Sequence, residues 1–184
     1  LLMNSLDDNK LVTQAAVFHN RQAFGRLVVK YQSPLRRFFL HQTAGDEALS
    51  DDLAQETFIK AYTNIGKFRG TAAFSSWLYR IACNVFYDYV RRQQPTADID
   101  SGEALRLGAN GAEHGLGMDI CNAMRCLSDR ERICITLQLV DGYPIDEIAQ
   151  ITGLADGTVK SHLFRGKQKL TEYLKKNGYD RKRQ

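Results

Sequence analysis

Basic and polar side chains lie near the C-terminus at spacings that suit contacts with duplex DNA. From Asp156 to Gln184 there are nine Lys or Arg residues against three Asp or Glu residues, although the whole chain has a net charge of only +4. A lysine or arginine in the first half of a helix can pair with guanine edges in a major groove, and further cations neutralise phosphates without reading sequence. We predict DNA contacts from the outward residues of this helix: Lys160, Ser161, His162, Phe164, Arg165 and Lys167.

The preceding segment has the features of a helix-turn-helix, which would place these side chains on its second helix. Ala149 is small where the two helices must approach, and Gly153 stands in the turn, where a positive φ is needed. Leu154 and Val159 are expected to pack the second helix on the first. The helix starts are predicted from residues typical of first turns and caps: Pro144 for the first helix, and Asp156 or Thr158 for the second. The alternative is an ordinary amphipathic helix pair.

A second stretch, Phe68 to Gln93, mixes basic and aromatic residues in a way that suits single-stranded nucleic acid. Aromatic faces stack on bases while Arg and Lys follow the phosphates. Its helix has an inward apolar stripe and a separate polar stripe, respectively Leu78, Ile81, Val85 and Tyr89, and Arg80, Asn84, Tyr87 and Arg91. The alternative is that Phe74, Trp77 and Phe86 are simply core.

The charges between Thr43 and Ile59 are all acidic, which indicates a basic partner for this segment. Ser50-Asp51-Asp52 is predicted to open the helix, because carboxylates suit the positive end of the helix dipole. The acidic residues are Asp46, Glu47, Asp51, Asp52 and Glu56. A solvated helix face is the alternative interpretation.

Apolar periodicity predicts an all-α fold of two small helical domains, residues 1–93 and 118–184, joined by a flexible linker, 94–117. The linker contains Pro95 and five glycines, and loops of this length are uncommon inside one domain. Ser33-Pro34 is expected to kink or divide the second helix. In the C-terminal domain Ser128 and Glu131 form a predicted capping box ahead of an apolar run. No segment alternates as a strand would.

The cysteines lack the spacing of a zinc site, so neither a metal nor another cofactor is expected. Cys83, Cys121, Cys126 and Cys134 are predicted to be reduced, buried thiols. No signal peptide or membrane span is evident, so a soluble, cytoplasmic protein without membrane insertion is expected.

Three motifs in order resemble the extracytoplasmic-function (ECF) group of bacterial sigma factors. They are DDLAQETFIKAY from Asp51, FRGTAAFSSWLYRIACN from Phe68, and LSDRERICITLQLVDGYPIDEIAQITGLADGTVKSHLFRGKQKL from Leu127. The resemblance covers both proposed domains, as sigma regions 2 and 4. It implies a specificity subunit that binds core RNA polymerase through the β′ clamp helices and the β subunit, often under control of an anti-sigma factor.

The resemblance also implies roles for particular residues. Polymerase docking falls on Asp52, Gln55, Glu56, Phe58 and Tyr62, and duplex recognition of the minus-thirty-five element on the C-terminal helix described above. Recognition of the melted minus-ten element, with a base flipped from the stack, falls on Lys67, Phe68, Arg69, Gly70, Thr71, Trp77, Arg80 and Asn84. Lys160 and His162 stand where arginine is common in the family.

Two other classes of function remain open from the residues alone. A helix-turn-helix regulator that binds duplex DNA without joining polymerase would need a sensory N-terminal domain, and the absence of strands there disfavours it. An enzyme such as a recombinase would need a nucleophile with an arginine cluster, and Ser75-Ser76 in an aromatic helix is a poor candidate. We therefore expect no catalytic residues.

Overall fold

The computed structural model describes residues 5–93 and 116–178, and this part of the chain contains no strand. The all-α prediction is therefore confirmed. The helices are α1 (Ser5–Val17), α2 (Arg21–Gln42), α3 (Glu47–Asn64), α4 (Phe74–Gln93), α5 (Leu116–Met124), α6 (Asp129–Ile135), α7 (Ile145–Thr152) and α8 (Asp156–Lys176). A 3₁₀ turn, Ile65–Lys67, follows α3, and a π-helical turn, Thr136–Val140, continues α6.

Side-chain caps fix where the first long helices begin. Asn20 accepts from the backbone N–H groups of Gln22 and Ala23 at the start of α2, and Asp46 accepts from Leu49 N–H at the start of α3. The prediction that α3 opens at Ser50 is wrong, because Asp46 caps the helix one turn earlier. Ser50 is instead buried inside the helix.

The second helix is continuous through its proline, so the expected division at Ser33-Pro34 does not occur. Its apolar face, with Leu27, Leu35 and Phe38, packs into the core of the N-terminal helices. Burial of these side chains stabilises the helix on both sides of Pro34, which offsets the missing hydrogen bond.

The C-terminal helices begin and turn largely as predicted. Ser128 and Glu131 form the reciprocal capping box, and Gly153 ends α7 in the left-handed region with φ 73°. Two details of the predicted helix starts are wrong. Pro144 is the N-cap of α7 rather than its first helical residue, and α8 is capped by Ala155 without any side-chain hydrogen bond.

A buried arginine that sequence reasoning missed holds this domain together. Arg132 is 1% exposed, and its guanidinium donates to the carbonyls of Met124, Leu127 and Gln42 at 3.0, 2.9 and 2.8 Å. Its charge is balanced by Asp129 at 3.3 Å. Because each of the three guanidinium nitrogens donates a hydrogen bond, the burial of Arg132 is tolerated, and one of the acceptors belongs to α2.

The two groups of helices, α1–α4 and α5–α8, pack directly against each other. One continuous buried cluster includes Phe39 and Tyr79 from the first group and Leu137 and Ile148 from the second. We call this contact the joint. The predicted linker falls mostly outside the described residues, and its last two positions, 116 and 117, are the first residues of α5.

The four cysteines are free thiols, as predicted, but they are not equally buried. Cys83 and Cys134 are buried at the joint, where burial raises the pKa of each thiol, that of Cys134 to about 12. Cys121 is half-buried and Cys126 is exposed, so the prediction of burial is wrong for Cys126.

Candidate nucleic-acid interface

The outer face of α8 carries most of the residues predicted to contact duplex DNA. Lys160, Ser161, Arg165 and Lys167 are exposed, and Phe164 is 64% exposed. A phenyl ring this exposed contributes little to the core and is available for an apolar contact with a partner. Phe164 is therefore not part of the core.

His162 does not belong to that outer face, and its predicted outward position is wrong. It is 3% exposed, because it lies three residues after Val159 and four before Gly166, both buried on the side that packs against the rest of the domain. Its Nδ1 lies 3.1 Å from Nη2 of Arg165. The imidazole therefore contacts the exposed Arg165 from the buried side of α8.

A buried glutamate anchors two cations of α8. Glu131 lies 2.8 Å from Nζ of Lys169 and 3.5 Å from Nε of Arg165. Burial opposes ionisation of Glu131, but the Lys169 ammonium and the Ser128 backbone N–H outweigh it, so its pKa is lowered. The stable carboxylate positions Arg165 at one edge of the outer face of α8.

Close backbone packing sets the position of α8. A Cβ on Gly166 would lie 2.8 Å from Cγ1 of Ile135, so any larger residue there would have to displace the Ile135 side chain or the helix itself. Sequence reasoning did not single out Gly166, although a glycine inside an otherwise helical pattern is a recognisable sign of such an approach.

The loop before α4 and the start of α4 form a second surface, with a small aromatic cluster at its centre. Phe68 and Trp77 are half-buried with ring centroids 5.4 Å apart, and both pack on Phe74. Phe74 and Phe86 are buried, which confirms the core alternative for these two rings. The exposed residues around the cluster are Lys67, Arg69, Gly70, Thr71, Arg80 and Asn84.

The helix geometry explains why this surface is continuous. Trp77, Arg80 and Asn84 follow at intervals of three and four residues, so they share one side of α4. In the preceding loop, Gly70 has a left-handed backbone with φ 68°, and Lys67 Nζ donates to Asn64 Oδ1 at 2.9 Å. Of the predicted stripes of α4, Leu78 and Val85 are buried, whereas Ile81 and Tyr89 are only half-buried.

A groove of about 700 Å³ runs between α2 and α3 and forms a third surface. Three of the residues predicted to dock polymerase line it: Gln55, Phe58 and Tyr62. Asp52 is exposed one turn before Gln55 on the same helix. The other lining is mostly apolar and includes Phe24, Val28 and Ile59.

The remaining docking candidate, Glu56, faces a different direction. Its carboxylate pairs with Lys60 at 2.9 Å and with Arg92 of α4 at 3.6 Å. Arg36 of α2 likewise pairs with Asp51 at 2.6 Å and Glu47 at 2.9 Å. The acidic run is therefore partly neutralised by cations that are distant in sequence, which a count of charges along the chain could not find.

Within the described residues, no set of three His, Cys, Asp or Glu side chains is placed to hold a metal ion. Over the same ranges, no helix combines the length and apolar character needed to cross a membrane.

Comparison with known families accounts for both groups of helices. The Sigma-70 region 2 family matches residues 27–96, and the Sigma-70, region 4 family matches residues 118–170. The ECF RNA polymerase sigma-E factor of Escherichia coli K12 is 32% identical over 166 residues, covering 82% of this chain and 86% of that protein. The ECF RNA polymerase sigma factor SigW of Bacillus subtilis 168 is 29% identical over 171 residues, covering 85% and 91%.

Solved structures show the same fold. CnrH in complex with the cytosolic domain of CnrY superposes with a TM-score of 0.70 at 24% identity, covering 94% of this chain and 99% of that chain. The sigma factor RpoE in complex with the anti-sigma factor NepR from Bartonella quintana has a TM-score of 0.67 at 27% identity, covering 83% and 96%.

The helix-turn-helix, the aromatic–basic helix and the acidic helix are thus parts of one known architecture. Proteins of this family are specificity subunits rather than enzymes. The chain belongs to the ECF RNA polymerase sigma factors, and it binds core RNA polymerase and directs transcription initiation at promoter DNA.

Proposed function

We propose that three separate surfaces divide the work of this sigma factor. The groove between α2 and α3 docks the β′ clamp helices of polymerase, the loop and polar side of α4 bind the melted minus-ten element, and the outer face of α8 reads the minus-thirty-five duplex. The observation that carries this proposal is that all three surfaces are exposed and lie on different helices.

Apolar lining and a rim of mixed charge support docking in the groove. Phe58, Ile59 and Tyr62 offer partly exposed apolar area, and Asp52 and Gln55 offer polar contacts beside it. This composition suits an amphipathic helical partner with basic residues, as helix-in-groove recognition requires. Glu56 acts indirectly, because its pair with Arg92 joins α3 to α4, while its pair with Lys60 lies within α3.

The α4 surface suits a single strand with one base turned out of the stack. The half-buried rings of Phe68 and Trp77 provide a stacking platform, and Lys67, Arg69 and Arg80 lie around them for phosphates. Gly70, Thr71 and Asn84 complete the surface with polar groups that can reach a base edge.

The α8 surface suits a major groove. Lys160, Ser161 and Phe164 lie in the first half of the helix, where side chains reach base edges, and Lys167 lies further along, where it suits a phosphate. Arg165 is positioned by Glu131 and His162. His162 is thus a positioning residue for this surface and makes no DNA contact of its own.

The decisive experiment is reconstitution with polymerase. Purified chain is added to core RNA polymerase, and transcripts from a library of bacterial genomic fragments are sequenced. We expect discrete start sites that core polymerase alone does not use. Tight duplex binding by the free chain without any new start site would favour an independent helix-turn-helix regulator.

A single charge reversal tests the docking surface. Asp52→Arg places a cation where a basic partner is expected, so co-purification with core polymerase should fall at least tenfold while the helical circular-dichroism spectrum is unchanged. The matched control is Asp7→Arg, the same change at an exposed position of α1. Equal polymerase binding by both variants would show that docking lies elsewhere.

We also propose that the chain works in the cytoplasm, has no catalytic step of its own and is held by an anti-sigma factor. RpoE from Bartonella quintana is bound by the anti-sigma factor NepR, and the open groove here offers a similar protein a site that competes with polymerase. The test is cross-linking in living bacteria from a photoreactive residue at Tyr62. Cross-links to polymerase alone, under all growth conditions, would argue against such an inhibitor.

A further inference from the structure

The first helix, α1, belongs to none of the three proposed surfaces, but it packs against the base of one of them. It contacts α4 and the 3₁₀ turn that leads into the loop before α4. Val12 and Ala15 are buried in the same cluster as Phe74. The rings of Phe68 and Trp77, which form the proposed stacking platform, pack against that cluster. Because protein interiors are close-packed, a shift of α1 would displace these rings as well.

The inward side of α1 contains a charged residue. Among residues 7–17 the buried side chains are Asp8, Val12 and Ala15. They follow at intervals of four and three residues, so they form one stripe along the helix. An apolar residue at the first position would continue the stripe. The chain has a carboxylate there instead, and Asp8 is 3% exposed.

Each oxygen of the Asp8 carboxylate has a partner on α2. Oδ1 accepts from the Lys30 ammonium and Oδ2 accepts from the Tyr31 hydroxyl, both at 2.5 Å. Burial and this carboxylate raise the pKa of Tyr31, so the hydroxyl stays protonated and remains the donor. A buried ion pair often stabilises a fold no more than well-packed apolar residues would. Stability alone therefore does not explain the carboxylate, whereas no apolar residue could supply the directional bond to Tyr31.

Tyr31 connects this carboxylate to the stacking platform. Its ring centroid lies 5.5 Å from that of Phe74, and both rings are buried. The Phe74 centroid lies 6.0 Å from that of Phe68 and 5.7 Å from that of Trp77. The Tyr31 hydroxyl also interacts with Ser75, which follows Phe74 in the first turn of α4. This hydroxyl therefore joins α1 to the start of α4, directly behind the platform.

We propose that Asp8 and Tyr31 are positioning residues for minus-ten recognition, which hold the start of α4 and the stacking platform in the geometry that receives a base turned out of the stack. A binding site of this kind works only when its side chains are held within about 0.5 Å of the productive geometry. The inference rests on the proposed assignment of the α4 surface to the melted minus-ten element. It extends that site to α1, which precedes the residues matched by the Sigma-70 region 2 family, 27–96.

Two conservative variants break the hydrogen bond without emptying the core. Tyr31→Phe keeps the ring beside Phe74 and removes the hydroxyl. Asp8→Asn keeps the shape of the side chain but replaces one acceptor oxygen with a donor amide. The matched control is Asp7→Asn, the same change at the exposed neighbouring position. The positive control is Trp77→Ala, which removes one ring of the platform.

Each variant is assembled with core RNA polymerase and compared in three binding measurements. These are co-purification with polymerase, binding to a duplex fragment with the minus-thirty-five element, and binding to a single-stranded minus-ten oligonucleotide, both sequences being taken from a start site found by reconstitution. We expect Tyr31→Phe and Asp8→Asn to bind the single strand at least about fivefold more weakly, with the other two measurements unchanged. Asp7→Asn should match wild type throughout, and circular dichroism checks that each variant is folded.

A spectroscopic measurement separates positioning from general stability. Adenines of the oligonucleotide are replaced one at a time by the fluorescent base 2-aminopurine, and the holoenzyme is added to saturation. Wild type should change the fluorescence strongly at the base turned out of the stack. Tyr31→Phe should change it less even when the oligonucleotide is fully bound, because a displaced platform stacks the base poorly.

The outcomes distinguish this inference from the proposed function. Wild-type single-strand binding and fluorescence in Tyr31→Phe, together with a loss in Trp77→Ala, would overturn the inference and leave the proposed function standing. Equal losses of polymerase, duplex and single-strand binding would show that the hydrogen bond serves the whole fold, which also overturns the inference. Unchanged single-strand binding by Trp77→Ala would contradict the proposed minus-ten surface itself. If Asp8→Asn does not fold, Tyr31→Phe alone decides.

Discussion

The two helices proposed to contact DNA, α4 and α8, differ in how many of their sides are buried. α4 has buried residues on the side facing α1–α3 and also on the side facing the joint, among them Leu78, Tyr79, Cys83 and Phe86. α8 buries only Val159, His162, Leu163 and Gly166. One helix is enclosed between two layers, whereas the other lies on the outside of a small domain.

This difference determines how much surface each helix has free for a partner. The outer face of α8, with Lys160, Phe164 and Arg165, is exposed while the two groups of helices are packed together. By contrast, α4 contacts α7 near its start, where Ser76 Oγ donates to Glu147 Oε2 at 3.2 Å. Of the two surfaces proposed to meet DNA, the one on α4 is therefore the more enclosed.

The largest expected effect comes from truncating one aromatic residue on each helix. Tyr79 is 3% exposed and packs edge-on against Phe38, so Tyr79→Ala should lower the free energy of unfolding by about 3–5 kcal/mol. Phe164 is 64% exposed, and Phe164→Ala should change the free energy of unfolding by less than about 0.5 kcal/mol. Urea denaturation followed by circular dichroism measures both.

Tyr79→Phe is the control, since it keeps the ring and removes only the hydroxyl near Asp141. Its expected cost is about 1–3 kcal/mol, that of leaving a buried polar partner unsatisfied. Comparable losses for Tyr79→Ala and Phe164→Ala would show that α8 is as enclosed as α4, and the contrast between the helices would fail.

A second prediction concerns the single close approach of α8. Gly166→Ala should destabilise the chain by about 1–3 kcal/mol, because its methyl group would meet Ile135 at 2.8 Å. Gly157→Ala on the same helix has open space around it and should stabilise by up to about 1 kcal/mol through higher helix propensity. Thermal denaturation of the pair tests this, and a stabilising Gly166→Ala would contradict the packing described for α8.

A third prediction distinguishes base recognition from phosphate binding by residues of α8. Lys160→Ala should weaken discrimination at one base pair by about 1–3 kcal/mol if Lys160 contacts a base. Lys176→Ala, in the last turn, should weaken binding uniformly across sequences. Holoenzyme binding to single-base promoter variants distinguishes the two results, and identical uniform losses would remove Lys160 from base recognition.

The smallest expected effects concern how two buried carboxyl groups, one at each helix, make the stability of the chain depend on pH. The pKa of Glu131, which anchors α8, is lowered, so its contribution to stability is present above about pH 4.3 and is lost as pH falls through its folded pKa. The pKa of Asp141, which faces α4 at the joint, is raised by burial despite Arg37. Its ionisation therefore costs stability as pH rises above about 3.9.

Urea denaturation between about pH 3.5 and pH 7 tests these signs in two variants. The deficit of Glu131→Gln relative to wild type should shrink on acidification. The stability of Asp141→Asn relative to wild type should rise as pH increases. If the stability difference from wild type changed with pH in the same direction for both variants, the carboxyl groups at the joint and at the α8 anchor would not differ electrostatically.

Much of the local structure could be predicted from short-range patterns. The capping box at Ser128, the positive φ of Gly153 and the extent of α4 follow from residues within four positions of one another. The position of His162 could not be predicted this way. Its side chain is polar and follows the exposed Ser161, but the packing of α8 turns it inward. Because a histidine is not apolar, the hydrophobic pattern does not predict that it is buried.

By itself the sequence determines the helices, the helix-turn-helix and the family, because each depends on side chains close together in the chain. Only the tertiary structure decides that Arg36 neutralises part of the acidic run and that Arg37 meets Asp141 across the joint. The partners in each pair belong to different elements of the fold, and those of the pair across the joint lie on opposite sides of the predicted linker, 94–117. Periodicity indicates which face of a helix is apolar but not which other helix covers it, and that choice is made only when the helices pack together in the tertiary structure.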